Sequence, residues 1–230
     1  MDTLVQIRQA LEGLSMVERE TIADWLQKLI EAQPPGYGVA EPRFSNAAMQ
    51  PPFMTVDEYM QFEEQSPLRY EYVNGAIYAM NGVSVAHARI SRELAIAVGG
   101  HLRGGPCEVF STDLKLLIRS DTDEIIYYPD MMVACQRQEW GPNYVRNPKL
   151  VAEILSPSTQ HIDRREKAMT YRRIASLEEY VVLAQDEHKV IVHRRGENWR
   201  PQSYSGPEAT VNFRSIGLSV PLAQIYEGTL

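Results

Sequence analysis

The segment KLVAEIL, Lys149 to Leu155, restricts the fold more than any other part of the chain. Read as a strand, it places Leu150, Ala152 and Ile154 on one face and Val151, Glu153 and Leu155 on the other. Both faces are then apolar except at Glu153, and such a strand belongs to a sheet covered on both sides. A carboxylate in that setting costs several kcal/mol unless a partner compensates it. Either Glu153 turns to solvent or a positive charge meets it, and the double-sided pattern weakens the first option. Ser156-Pro157 ends the strand, so Glu153 lies near its carboxyl end, where sheet sites form.

The rest of the chain supplies partners for that strand. Residues 1–32 predict two amphipathic helices: Leu4, Ile7, Leu11 and Leu14 recur at helical spacing, and Ser15 to Glu18 is a capping box opening the second. Such a pair either packs on its own domain or serves as an arm for a homodimer or another partner. Residues 33–54, rich in proline and glycine, read as a linker, and the main domain covers 55–230. In that domain Thr55 to Glu58 forms another capping box before a short helix. RYEYVNGAIYAM reads as a hairpin turning at Asn74-Gly75, which sets Val73 opposite Ala76, Tyr72 opposite Ile77 and Glu71 opposite Tyr78. Helices are expected over 84–102 and 164–175. Strands are expected over 107–111, 113–119, 125–134, 149–155, 179–184 and 188–194, with short β segments from 198 to 220 and a last helical turn. This mixture predicts an α/β (α+β) domain with one central mixed β-sheet flanked by helices.

Composition narrows the function. A net charge of −7 argues against a general polyanion binder. Arg164, Arg165, Lys167, Arg172 and Arg173 nevertheless gather within ten residues, opposed there only by Glu166; the patch suits nucleic-acid contact or a solvated helix face. No apolar run approaches 18 residues, so no membrane span is expected. The start lacks a signal-peptide profile. Cys107 and Cys135, without CxxC spacing, read as reduced thiols, which together place the protein in a cytoplasm.

A second acid repeats the anomaly of Glu153. Asp130 interrupts the apolar run IIYYPDMMVAC directly after Pro129, whose missing N–H favours an edge or a bulge. Two acids in neighbouring buried strands repel unless one is protonated or a cation binds between them. Mg²⁺ satisfies oxygen donors of this kind, with the Ile154 backbone carbonyl as a further ligand. Projected at about 100° per residue, the helix after Glu153 places Lys167, Tyr171 and Ile174 on one stripe and Arg165, Glu166, Met169, Arg172 and Arg173 on the other. Lys167 thus faces inward, toward the acids. Asp113 and Lys115 have D-x-K spacing but precede the Pro-Asp strand, which makes them a decoy with at most a supporting part.

Pro129-Asp130 followed by Glu153-Ile154-Leu155 resembles the PD-(D/E)XK nuclease core, with leucine at the usual lysine position. Together with YEYVNGAIYAMNG, the His87 region, NPKLVAEILSPST, DRREKAMTYR and LEEYVVLAQD, it resembles the bacterial Uma-type restriction-endonuclease-like family over residues 54–227. The resemblance implies a restriction-endonuclease-like core and a metal-dependent endonuclease hydrolysing phosphodiesters, with DNA the expected substrate. It implies Asp130 and Glu153 as ligands of Mg²⁺ or Mn²⁺, Lys167 as the lysine moved to the following helix, and Glu71 as a further acid of the core. His87 and Tyr171 are implied as supporting groups, and Arg164, Arg165, Arg172 and Arg173 as contacts to the nucleic-acid backbone. The leucine and the acidic charge leave open an inactive nuclease-fold binding or scaffold protein, and a small-phosphoester hydrolase stands third.

Overall fold

The computed structural model describes residues 53–80, 82–111, 113–120, 122–155 and 166–230. The expected helical pair over 1–32, most of the linker, and Arg164 and Arg165 lie outside them. The described residues belong to one compact unit, Met49–Leu230.

Helix α1 (Val56–Gln65) starts at Thr55, whose side chain accepts from the Glu58 N–H while the Glu58 carboxylate accepts from the Thr55 N–H. The hairpin β1 (Tyr70–Val73) and β2 (Ala76–Ala79) follows in the register the turn dictates: Glu71 opposite Tyr78, Tyr72 opposite Ile77 and Val73 opposite Ala76. Asn74 and Gly75 have φ of 48° and 96°, the two positive values that a tight turn of matching twist requires. Helix α2 (Val85–Leu102) is capped by Ser84, whose Oγ accepts from the His87 N–H.

The strands beyond are β3 (Glu108–Ser111), β4 (Lys115–Arg119), β5 (Glu124–Tyr127), β6 (Met131–Ala134), β7 (Tyr144–Val145) and β8 (Pro148–Leu155). Helix α3 (Ala168–Arg173) leads into β9 (Glu179–Ala184), β10 (Lys189–Arg194), β11 (Pro201–Ser205), β12 (Thr210–Phe213), β13 (Leu218–Pro221) and a last turn, α4 (Leu222–Ile225). Among the described residues they form a five-stranded sheet ordered β2-β1-β5-β4-β7, a six-stranded sheet ordered β11-β10-β9-β8-β6-β3, and the pair β12-β13. Both larger sheets are mixed, since β8 runs parallel to β9 and β4 parallel to β7 while their other pairs are antiparallel.

Three expectations are corrected. The single strand over 125–134 is two: β5 pairs with β4 and β1 in the five-stranded sheet, while β6 pairs with β3 and β8 in the six-stranded one. Tyr128, Pro129 and Asp130 form the crossing between them, where proline has no N–H to give to a ladder. The one central sheet is therefore divided in two. The expected free thiols are bonded: Cys107 and Cys135 extend the β3–β6 register by one step beyond Glu108 opposite Ala134, and form a disulfide. These cysteines consequently carry no argument for a reducing compartment. No helix among the described residues is long and apolar enough to cross a membrane.

The double-sided reading of Lys149 to Leu155 explains where the core lies. Leu150, Ala152 and Ile154 pack with Ile90, Leu94 and Val98 of α2, while Val151 and Leu155 pack with Ala168, Tyr171 and Tyr180. Glu153 projects from the second of these faces.

Candidate active site

Four segments deliver charged groups to the carboxyl end of β8. Glu153 is 7% exposed. The Tyr171 hydroxyl donates to Glu153 Oε1 at 2.6 Å, and Lys167 Nζ lies 3.6 Å from the same oxygen. The ammonium sits closer still to Glu71 of β1, 2.7 Å from Oε1, although off the hydrogen-bond direction. It also lies 5.2 Å from the centre of the Tyr127 ring, a cation–π distance. Lys167 thus bridges an acid of the five-stranded sheet and an acid of the six-stranded one.

Asp130 reaches the same place from the crossing before β6. Met131 is registered with Ala152, so Asp130 lies beside the Glu153–Ile154 end of β8, and its Oδ2 accepts from the Ile154 N–H at 2.7 Å. Oδ1 lies 2.8 Å from His87 Nε2, in the first turn of α2, close enough to accept its N–H. Asp130 keeps 21% of its side chain exposed, against 9% for Glu153 and 12% for Lys167. Asp130, with Glu71 at 16%, is thus the more open part of the cluster.

The electrostatics follow from that packing. Burial pushes the Glu153 carboxyl up to about 8; Lys167 and the Tyr171 hydroxyl pull it down, and Asp130 and Glu71 push it further up. Burial, with the Glu153 charge beside it, drives the Tyr171 phenol well above its ordinary value, so Tyr171 remains a proton donor. Among the described residues no three His, Cys, Asp or Glu side chains gather closely enough to hold an ion by themselves.

Not every candidate meets this cluster. Arg173 is 68% exposed and pairs with Asp123 at 2.9 Å. Arg172, expected beside it on the outer face, is half-buried, because the short α3 turns it toward β10. Leu155 is buried among apolar side chains and offers no polar group. Lys115 belongs elsewhere: its Nζ lies 2.5 Å from Glu63 Oε2, and Tyr128 donates to the other oxygen of Glu63. Asp113 is 72% exposed and reaches this pair only through Arg69, which lies 3.7 Å from Asp113 Oδ1 and 4.0 Å from Glu63 Oε1.

Sequence reasoning missed the two tyrosines before Pro129. Tyr127 faces Lys167 and Tyr128 faces Glu63, so consecutive residues serve two separate buried charges. The strand alternation of Tyr127 and Tyr128 was the available signal, hidden by reading the segment as one strand.

A family described as Uma2, putative restriction endonuclease, matches residues 56–223. The chain belongs to the Uma2 family. Two Synechocystis sp. proteins resemble it. The uncharacterized protein slr1290 is 33% identical over 180 residues, covering 77% of this chain and 93% of its own length. The uncharacterized protein sll1609 is 30% identical over 165 residues, covering 70% and 92%. A crystal structure of a putative nuclease belonging to DUF820 from Anabaena variabilis superposes with a TM-score of 0.63 at 18% identity, over 77% of this chain and 99% of that one. The Uma2 chain thus has the mixed α+β, restriction-endonuclease-like fold.

Proposed function

We propose that this Uma2 protein is a metal-dependent endonuclease that hydrolyses phosphodiester bonds of nucleic acid, with DNA as its substrate. The observation that carries the reading is the buried Glu153, which shares the ammonium of Lys167 with Glu71 and has Asp130, anchored on the neighbouring Ile154 N–H, as a further acid beside it. Acids this close are poorly matched to stability alone and well matched to binding a hard cation.

The donor set fits Mg²⁺ or Mn²⁺. Asp130 and Glu153 offer carboxylate oxygens, and Mg²⁺ is commonly held by one or two carboxylates with water completing the shell. A strand residue turns its N–H and C=O to the same edge, so the Ile154 carbonyl lies on the Asp130 side of β8, as its N–H does. A bound divalent ion lowers the pKa of coordinated water and neutralises charge on the scissile phosphate.

The protein's own groups do the remaining work. His87 fixes the Asp130 carboxylate, and Tyr171 fixes Glu153. Lys167, held between Glu71 and Glu153, orients the attacking water and stabilises charge developing on the phosphate. The Tyr127 ring covers the ammonium, which is largely out of water, and that strengthens its field.

Incubating plasmid and linear DNA with Mg²⁺ or Mn²⁺ tests this reading. Cleavage by the wild type, its loss with chelator, and its loss in Asp130→Asn are expected. Lys167→Ala is expected to abolish cleavage while keeping the rise in Tm that divalent ions produce. The double variant Asp130→Asn/Glu153→Gln should lose that rise, and an equal rise in the double variant would remove the metal site. The buried Leu155 at the usual lysine position favours a second reading, a binding protein of nuclease fold. DNA binding with no turnover under any divalent ion would select it.

A further inference from the structure

The face of the six-stranded sheet that carries Glu153 continues into a small pocket. Tyr180 and Val182 of β9, Ile191 and His193 of β10, and Pro201 of β11 form its floor, Arg172 of α3 closes it, and its volume is about 200 Å³. Val182 is the register partner of Glu153, Ile191 of Val182, and His193 of both Tyr180 and Pro201. Adjacent strands lie about 4.8 Å apart, so the pocket begins one strand from Glu153 and runs away from it. The Tyr180 ring packs 5.3 Å from the Tyr171 ring, whose hydroxyl is on Glu153.

Arg172 is the group in this pocket that the fold does not account for. Its Nε is buried and donates to nothing. Among the described residues it makes no ion pair, whereas its neighbour Arg173 holds Asp123. Its nearest polar contact is His193 Nδ1 at 3.4 Å. That nitrogen lies 3.0 Å from the Trp199 carbonyl, which can only accept, so Nδ1 carries the proton and cannot take one from Arg172. Two donors therefore face each other. A guanidinium is charged at every accessible pH, and a partly desolvated one calls for an anion.

We propose that Arg172, with His193 beside it, forms a subsite for a phosphate group, the one flanking the scissile phosphodiester in a bound strand. The identity of that phosphate rests on the nuclease reading; the anion site itself does not. Its position suits the role, since a strand with one phosphate at Glu153 and Lys167 must carry the next onward, and the pocket offers a cation in that direction. The apolar floor of Val182, Ile191 and Pro201 gives the attached sugar a surface to pack on.

The test follows the imidazole resonances of His193 in the full, metal-free chain, titrated separately with inorganic phosphate and with a short duplex oligonucleotide. Both ligands are expected to shift them in the wild type and not in Arg172→Gln. Oligonucleotide affinity should fall roughly tenfold in Arg172→Gln. The slope of log K against log salt should become shallower by about 0.9, the share of one phosphate on duplex DNA. Arg172→Lys should restore the slope. A response to inorganic phosphate from a chain that binds no oligonucleotide at all would keep the anion site and count against the nuclease reading. Oligonucleotide binding that leaves His193 unmoved and is indifferent to Arg172→Gln would do the reverse. His193 resonances unmoved by either ligand overturn the subsite, a readout of the unaltered chain that does not depend on any variant folding.

Discussion

Glu153 and Glu179 occupy adjacent parallel strands, β8 and β9, and are both nearly out of water, at 7% and 1% exposure. Their surroundings are opposite. Glu179 Oε1 accepts from Arg194 Nε at 2.8 Å and the Arg214 N–H at 3.0 Å. Its Oε2 accepts from the Ser215 N–H at 2.9 Å and Ser215 Oγ at 2.6 Å. Arg194 in turn donates to the Tyr204 hydroxyl, the Asn212 carbonyl and Gln202. Every lone pair and proton is spoken for, and the network ties β9, β10, β11 and β12 together. Glu153 has one hydroxyl donor, an ammonium shared with Glu71, and a second acid beside it. A buried acid with matched donors holds a fold together. A buried acid with too few donors and too many acidic neighbours is poised for an incoming cation or proton.

The largest effect should separate these two positions by stability. Glu179→Ala leaves Arg194 charged and buried without its carboxylate, a change that typically costs 3–5 kcal/mol. Glu153→Gln removes a desolvated acid from the vicinity of two others and leaves Lys167 its Glu71 partner, so a cost below about 1 kcal/mol is expected. Urea unfolding of the metal-free variants measures both, and similar losses at the two positions would break the comparison.

A second effect concerns pH. The folded-state value of Glu153, about 8, lies above its ordinary 4.5, so the native state holds a proton that the unfolded chain has released. Stability of the metal-free protein should therefore decline as pH rises from about 4.5 to about 8 and level off above it, by at most about 1.4 kcal/mol per pH unit from this group. Glu153→Gln should remove that component. Because a carboxyl must lose its proton to become a ligand, the Tm rise given by Mg²⁺ should grow between pH 6 and pH 8.5. A rise that is constant over that range would detach Glu153 from the metal.

Much of this contrast was legible in the residues, and the rest was hidden for physical reasons. Local rules sufficed for the hairpin at Asn74-Gly75, because turn geometry alone sets its register. Alternation sufficed for Glu153, because a strand apolar on both faces leaves an acid no route to water. Helical periodicity put Lys167 on the inner side of its segment. Long-range pairing was not legible. Nothing local announces that the chain changes sheets at Pro129, that β3 lies beside β6 and so joins Cys107 to Cys135, or that Lys115 is taken by Glu63. Most of the Glu179 network was equally invisible: Arg194 is its partner on the next strand, but Arg214 and Ser215 reach it only after three further strands have formed. Arg172 was placed wrongly because a projection of the helix alone cannot know that β10 and β11 extend the sheet beneath it.

The smallest effect tests the one hydroxyl that Glu153 possesses. Tyr171→Phe keeps the ring, which packs against Tyr127 at 5.6 Å and Tyr180 at 5.3 Å, and deletes the 2.6 Å bond. Without that donor the charged form of Glu153 is less favoured, so its pKa should move further up. The decline of stability with pH should then extend beyond about 8, and the cost of the substitution should be greater at pH 9 than at pH 6, reaching about 1–2 kcal/mol for a lost bond to a charged group. The midpoint of the pH profile is the decisive quantity, because loss of packing alone would lower stability equally at every pH. A profile displaced downward with its midpoint unmoved would reduce Tyr171 to a core residue and leave Lys167 as the sole group that compensates Glu153.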